Sequence, residues 1–323
     1  MRWLDDSALE RLRQAADAPD LEGTRYRLID KLGEGGMGGV FRVEDRVLQR
    51  EVALKVISVC DPEGWLSARL LQEARVIAQL EHPGIVPVHD AGTLPDGRPY
   101  YTMKLVQGNR LDEHAKEVKV LSDRLRIFLR ICDAVGFAHA RGVLHRDLTP
   151  SNVMVGPFGE VLVMDWGLSK LLSQDESGTE MAEPRSNAGQ LAGGLKTAHG
   201  SVLGTPGYMA PEQSRGESLV DQRADIFSLG AILQFLLSDV APIPRALDAI
   251  RRQAMAEDPS HRYQHVPDLA SDIAHFLDGL AVSAYLEGPL ARLWRWVGRN
   301  RAWIGLLLAY VITRALLIFF RSR

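Results

Sequence analysis

The sequence predicts an α+β fold in two lobes, the first rich in strands and the second mostly helical, followed by a C-terminal transmembrane helix. Three observations carry this reading. Between Tyr26 and Val106 the apolar residues come in short runs broken by glycines and charges, as strands do. Beyond Val106, SDRLRIFLRICDAVGFAHARG and RADIFSLGAILQFLLSD repeat their apolar residues at helical spacing. Near the end, WIGLLLAYVITRALLIFF is almost wholly apolar over 18 residues, Trp303 to Phe320. At about 1.5 Å per residue that run covers roughly 27 Å, close to a bilayer core.

Residues 1–25 form a helical extension, with Leu4, Leu9, Leu12 and Ala16 near helical spacing and Ala18-Pro19 as its stop. The first lobe, 26–106, opens with the strand candidates YRLIDKLG, GVFRVEDRV and EVALKVISV. The helix WLSARLLQEARVIAQL follows, and then two strands around LPDGRPYYTMKLV, where Asp96-Gly97 suits a hairpin turn. In the second lobe, 107–279, the strand-like VMVG and EVLVMD lie between the two long helices. Residues 168–209 form a long loop whose middle, SQDESGTEMAEPRSNAGQLAGGLKTAHG, has no apolar period; a loop of that length inside a compact domain is commonly functional. A basic segment, 280–301, carries Arg292, Arg295, Arg299 and Arg301 ahead of the span at 302–320, which favours that side being cytoplasmic. Arg314 opposes insertion by about 2.5 to 3.5 kcal/mol, and the surrounding Leu, Ile, Val and Phe, at about 0.3 to 0.6 kcal/mol each, offset it. A helix lying in the membrane interface is the competing reading.

A net charge of −3 and a pI near 6.3 give no reason to expect nucleic acid as a partner. The two cysteines, Cys60 and Cys132, lie far apart and suggest neither a disulfide framework nor a zinc site, which fits a reducing compartment. The start, MRWLDDSALERL, does not read as a signal peptide. The expected location is the inner membrane of the cell, crossed once, with the folded lobes in the cytoplasm.

The chemistry gathers in a few short stretches. Gly33 to Val40 spells GxGxxGxV. Alone this is a weak signal, shared with dinucleotide-binding turns and with Gly-rich hairpins that bind nothing. Here VFRVEDRV follows it, a strand rather than the helix a dinucleotide turn needs. A strand, glycine turn and strand can close over phosphates through backbone N–H groups. In Val52-Ala53-Leu54-Lys55-Val56 one lysine sits in an apolar strand, either as an edge-strand gatekeeper or as a buried cation. Glu73, on the following helix, offers it a carboxylate partner. His145-Arg146-Asp147-Leu148-Thr149-Pro150-Ser151-Asn152 then places an Asp and an Asn five residues apart, and Asp165-Trp166-Gly167 adds a second Asp. Together they supply a candidate base and two hard oxygen ligands for Mg2+.

This ordered set, with Ala210-Pro211-Glu212, resembles the protein kinase family over about residues 26–279. The wording HRDLTPSNVMV, GTPGYMAPEQ and DPSHRY is most similar to bacterial members of the eukaryotic-type Ser/Thr kinases, often membrane-anchored. The resemblance implies the bilobal kinase fold, ATP and Mg2+ as cofactors with Mn2+ as substitute, protein Ser/Thr substrates, and a homodimer that phosphorylates itself in trans. It implies that Gly33, Gly35 and Gly38 cover the ATP phosphates and that Leu32, Val40, Ala53 and Met154 enclose the adenine. Met103 would be the gatekeeper, with Lys104 and Val106 offering backbone groups at the hinge. Lys55, held by Glu73, would contact the α- and β-phosphates; Asp147 would accept the substrate proton; Asn152 and Asp165 would hold Mg2+. Thr205 would contact Asp147, and Arg146 would pair with a phosphate on the loop, at Ser201 first and Thr197 second. Glu212 with Arg262 would brace the lower lobe, Asp225 would anchor the catalytic loop, and Trp166 would pack near Ile77 and His145.

Three departures from the family pattern stand out. Thr149 replaces a lysine usually found two residues after the catalytic Asp. The stretch LSDVAPIPRALDAI, 237–250, is too short for the usual docking helix. The loop between Gly167 and Ala210 is long, with further hydroxyls at Ser173, Ser177, Thr179 and Ser186. The first two motivate the alternative reading, an ATP-binding pseudokinase acting as a membrane-anchored scaffold.

Overall fold

A five-stranded antiparallel sheet of order β1-β2-β3-β5-β4 builds the first lobe, from β1 (Tyr26–Gly35), β2 (Gly38–Asp45), β3 (Arg50–Ile57), β4 (Val88–Thr93) and β5 (Pro99–Lys104). The computed structural model describes residues 18–35, 38–57, 64–166, 170–171, 207–217, 220–285 and 288, and near the C-terminus 305–306, 308–310 and 312–314. Alternation along the strands gives the sheet two apolar faces. Val52, Leu54 and Val56 of β3 join Phe41, Val43, Tyr26 and Tyr100 on the outer face. Ala53 and Ile57 join Tyr101 and Met103 on the inner one. Helix α1 (Trp65–Ala78) covers that inner face with Leu70 and Ala74, while Ile77 one turn on enters the core of the second lobe. Glu73 lies on the same stripe and is therefore aimed at the sheet.

Gly38 has a structural requirement of its own. A Cβ there would fall 1.9 Å from the Val56 carbonyl oxygen, so β2 can approach β3 only without a side chain. The Asp96-Gly97 turn closes the β4–β5 hairpin with Gly97 at φ +86°, the left-handed conformation glycine tolerates.

The second lobe is built on α2 (Leu111–Glu117), α3 (Leu121–Ala140), α4 (Pro211–Ser214), α5 (Gln222–Leu236), α6 (Arg245–Ala254) and α7 (Val266–Leu277). Leu125, Phe128, Ile131, Cys132 and Val135 of α3 pack with Ile226, Leu229, Ile232 and Leu233 of α5 in one buried cluster. Short strands carry the functional loops: β6 (Asn109–Arg110), β8 (Val153–Val155) and β9 (Val161–Val163) form one sheet, and β7 (Val143–Leu144) pairs with β10 (Lys170–Leu171). The EVLVMD run is strand over Val161–Val163 only, because the chain turns at Asp165, where φ is +56°.

Residues 237–244 join α5 to α6 without a helix, so the docking helix that the sequence lacks is not replaced there. Arg124, buried on α3, ties the short connection down. Its guanidinium donates to the Leu236 carbonyl at 2.8 Å and the Val118 carbonyl at 2.6 Å, and forms an ion pair with Asp239. The lower lobe is braced a second time by Arg262, whose two terminal nitrogens donate to the two Glu212 oxygens at 2.7 and 2.8 Å, both groups buried.

No helix among the described residues is long and apolar enough to cross a membrane. Much of the predicted span lies outside the described residues, as do residues 1–17, Cys60 and most of the long loop, including Ser173, Ser177, Thr179 and Ser186.

Truncating one partner of the Arg262–Glu212 pair leaves a buried charge uncompensated. Glu212→Ala is expected to lower the unfolding free energy by about 3 to 5 kcal/mol in denaturant titration; a loss below about 1 kcal/mol would show that the brace is unnecessary.

Candidate active site

Lys55 lies on β3 between Val40 of β2 and Tyr101 of β5, its partners across the ladder, with its side chain on the face that α1 covers. Its ammonium donates to Glu73 Oε1 at 2.9 Å and to Asp165 Oδ1 at 3.1 Å. The Glu73 side chain is only 3% exposed, whereas that of Asp165 is 48% exposed. The first pair is thus a buried tie between strand and helix, and the second faces the open cleft between the lobes. A further donor reaches Glu73: the Tyr101 hydroxyl, at 2.8 Å from the same Oε1. Burial works against the Lys55 ammonium, but the carboxylates of Glu73 and Asp165 more than offset it and hold its pKa well above the usual lysine value. Burial likewise opposes the Asp165 carboxylate, and Lys55, then His145 and Arg110, keep the carboxyl below the ordinary aspartate range. The cleft therefore presents a fixed cation beside a fixed anion.

The loop 145–152 is held from below. Asp225, buried on α5, accepts the backbone N–H of His145 and of Arg146, both at 2.8 Å, and meets His139 Nε2 at 2.7 Å. Gln213 donates to the Arg146 carbonyl at 3.0 Å. These bonds hold Arg146 at φ +67°, a conformation that costs a side-chain-bearing residue roughly 1 to 3 kcal/mol. His145 joins this loop to the next one by donating from Nε2 to the Met164 carbonyl at 2.9 Å. Its ring lies 4.6 Å from that of Trp166, which is wholly buried in the cluster that also contains Ile77.

Asn152 donates from Nδ2 to the Asp147 carbonyl at 2.8 Å, and its own carbonyl accepts the Met164 N–H at 2.9 Å. The amide nitrogen is spent on the loop, which leaves the amide oxygen as the ligand group. With the ionised Asp165 carboxylate it makes an oxygen pair whose chemistry fits a hard divalent cation. Thr149 is different. Only 2% exposed, it shares a hydrogen bond of 2.8 Å with the Ser151 hydroxyl, so its side chain is packed inward.

Of the nucleotide-binding set, Ala53, Met103, Val40 and Val106 belong to one apolar cluster. Met154 is half-buried on β8, opposite Arg110 of β6, and Leu32 is exposed on β1. Gly33 pairs with Val40, and Gly35 pairs with Gly38 at the end of the β1–β2 hairpin. The Lys104 N–H is bonded to the Pro87 carbonyl at 3.1 Å, so that N–H is already taken within the protein. Thr197, Ser201 and Thr205 lie outside the described residues. Three contributors escaped the sequence reading: Tyr101, His139 and Arg110. Tyr101 sits in a strand buried over Pro99–Met103, where alternation cannot tell one face from the other.

Burial raises the Asp225 carboxyl, but the hydrogen bond from His139 and then the contacts of His145 overcome it and hold its pKa below the ordinary aspartate value. A depressed folded-state pKa stabilises fully above the unfolded value of about 3.9 and loses that contribution as pH falls through the folded value. Asp225→Asn should therefore be less stable than the parent at pH 7 by about 2 kcal/mol or more. The two thermal-unfolding curves should converge as pH falls below about 4; a gap that does not change with pH would contradict this.

The protein kinase domain profile matches residues 26–284. Among curated proteins, the chain is 34% identical over 299 residues to the serine/threonine-protein kinase PknD of Protochlamydia amoebophila, covering 79% of this chain and 30% of that protein. It is 37% identical over 300 residues to PknD of Chlamydia caviae, covering 79% and 31%. The chain thus spans less than a third of the length of these relatives. Among solved structures, the Mycobacterium tuberculosis PknI kinase domain is similar with a TM-score of 0.58 and 27% identity, covering 80% of this chain and 98% of that one. The profile match takes in both lobes and every described residue of the cleft, and on that ground the chain belongs to the protein kinase family.

Proposed function

We propose that the protein is an ATP-dependent protein serine/threonine kinase. The observation that carries this reading is the joining of Lys55 to both Glu73 and Asp165, with Asn152 linking the backbone of Asp147 to that of Met164, the neighbour of Asp165. The names of its relatives, serine/threonine-protein kinases, support it as well.

On this reading Val40, Ala53, Met103 and Met154 enclose the adenine, and the β1–β2 hairpin lies over the phosphates. Lys55, kept charged by its two carboxylate partners, neutralises phosphate oxygens, and Glu73 keeps it from swinging away. Asp165 and Asn152 would hold Mg2+, which would supply charge neutralisation on the phosphates. Asp147 accepts the proton of a substrate Ser or Thr hydroxyl as its oxygen bonds to the γ-phosphorus and the bond to the β-phosphate oxygen breaks. Little covalent chemistry falls to the protein; its contribution is alignment and charge. Ser201, with Thr197 second, is the proposed loop phosphosite, Arg146 the proposed partner of its phosphate, and Thr205 a contact to Asp147. Transfer between two copies of the chain would supply that phosphate.

A second reading, an ATP-binding pseudokinase, draws on Thr149, whose inward packing leaves a neutral side chain where the family usually has a lysine. One assay separates the two. Purified protein with Mg2+ and radiolabelled ATP should incorporate phosphate into itself or a generic protein substrate, and Asp147→Asn should reduce the rate by about 100-fold or more. ATP-dependent thermal stabilisation with no incorporation would establish the pseudokinase instead.

We also propose that 303–320 anchors the kinase to the inner membrane, with the lobes on the cytoplasmic side. The apolar run supports this. So does the exposure of Leu306, Leu308, Tyr310 and Ile312 at the described helical positions, surfaces that water solvates poorly. Removal of the residues after Arg301 should move the protein from the membrane to the soluble fraction on centrifugation. Retention of the truncated form on the membrane would place the anchor in the basic segment RLWRWVGRNR.

A further inference from the structure

We propose that Tyr101 is a positioning residue for phosphoryl transfer, holding Glu73 through its hydroxyl independently of Lys55. The inference rests on the kinase reading for its consequence, but on geometry alone for the contact. Glu73 Oε1 receives two donors, the Lys55 ammonium at 2.9 Å and the Tyr101 hydroxyl at 2.8 Å. Tyr101 is 1% exposed, and Glu73 is nearly as enclosed, so neither polar group can turn to water if the contact breaks. A buried phenol finds an acceptor, and a buried carboxylate with a single donor would be under-satisfied.

The position of Tyr101 makes it a suitable clamp. It lies directly across the ladder from Lys55, on the same face of the sheet, with its ring centroid 5.8 Å from the Lys55 nitrogen. β5 is an interior strand of the sheet, flanked by β3 and β4. The hydroxyl therefore fastens α1 to a rigid element by a route that does not pass through the lysine.

This matters because Lys55 has divided duties. It already donates to Asp165 as well as Glu73, and a nucleotide phosphate would compete for the same ammonium. If Lys55 were the sole tie, any movement toward phosphate would loosen Glu73, and with it α1. With Tyr101 in place the carboxylate stays put while the ammonium adjusts. The phenol itself remains neutral, since burial and the nearby Glu73 push its pKa well up. It acts as a hydrogen-bond donor and does not join the proton transfer.

The test uses the full chain and two readouts. Tyr101→Phe keeps the ring and removes only the hydroxyl. Hydrogen-exchange mass spectrometry should show α1 (Trp65–Ala78) exchanging roughly tenfold faster than in the parent, with peptides of β2 and α3 unchanged. Lys55→Met should also speed α1 exchange, since it removes the other donor to Glu73, and the Lys55→Met/Tyr101→Phe double variant should exceed either single variant, as two separate ties require. In the phosphate-incorporation assay, Tyr101→Phe should lower kcat about tenfold while KM for ATP changes less than about threefold. Unchanged α1 exchange in Tyr101→Phe would overturn the proposal. So would a uniform rise across the first lobe, which would make the hydroxyl a general packing element. If the parent incorporates no phosphate, the kinase reading fails while the exchange data still decide whether Tyr101 positions Glu73.

Discussion

The ion pair between Lys55 and Glu73 is the constraint on which the rest of the cleft depends. A lysine on a strand and a glutamate on a helix would each be costly to bury alone. Buried together, they fix the distance between the sheet and α1. Because Lys55 also reaches Asp165, which follows β9 in the second lobe, the same ammonium relates the two lobes to each other. The charges that would handle phosphate are thus also the charges that set where the lobes stand. On the kinase reading, activity and architecture share one interaction, and removing either carboxylate would disturb both.

Below the cleft a different device does comparable work. Arg146 and Asp165 both adopt positive φ, an expensive conformation for residues with side chains. The strain is offset by ties that converge on them: Asp225 on the backbone of His145 and Arg146, Gln213 on the Arg146 carbonyl, and His145 on the Met164 carbonyl. Trp166 completes the arrangement as bulk. Its indole lies against His145 and fills the core beneath α1, so the aromatic of the DWG sequence serves as a packing wedge that carries Asp165 on its back. The large side chain is accommodated there without leaving the core.

Part of this was legible in the sequence. The strand and helix runs, the turn at Asp96-Gly97, and the pairing of Glu212 with Arg262 all follow from local pattern or from the family resemblance that the motifs carry. Lys55 and Glu73 could be matched because a lone lysine in an apolar strand demands a carboxylate. Tyr101 could not be found in this way. Pro99 to Met103 is buried on both faces of the sheet, so the alternation that normally separates inward from outward residues is silent. Thr149 was legible as a missing charge, yet not as an inward-facing side chain bonded to Ser151. Nor could the short connection after Leu237 reveal that Arg124, more than a hundred residues earlier, would hold it.

The sequence by itself determined the family, the main strands and long helices in their order, and which residues are the candidates to meet phosphate and metal. These rest on local chemistry: glycine where the backbone must come close, alternation on strands, and carboxylate and amide oxygens at short spacing. Only the tertiary structure decided which partner each buried polar group takes. That choice depends on which faces of distant elements come together, and neither face carries a mark of its partner until the chain has folded. Glu73 acquires its second donor because β5 lies beside β3, and Asp225 reaches two backbone N–H groups because α5 runs beneath the loop.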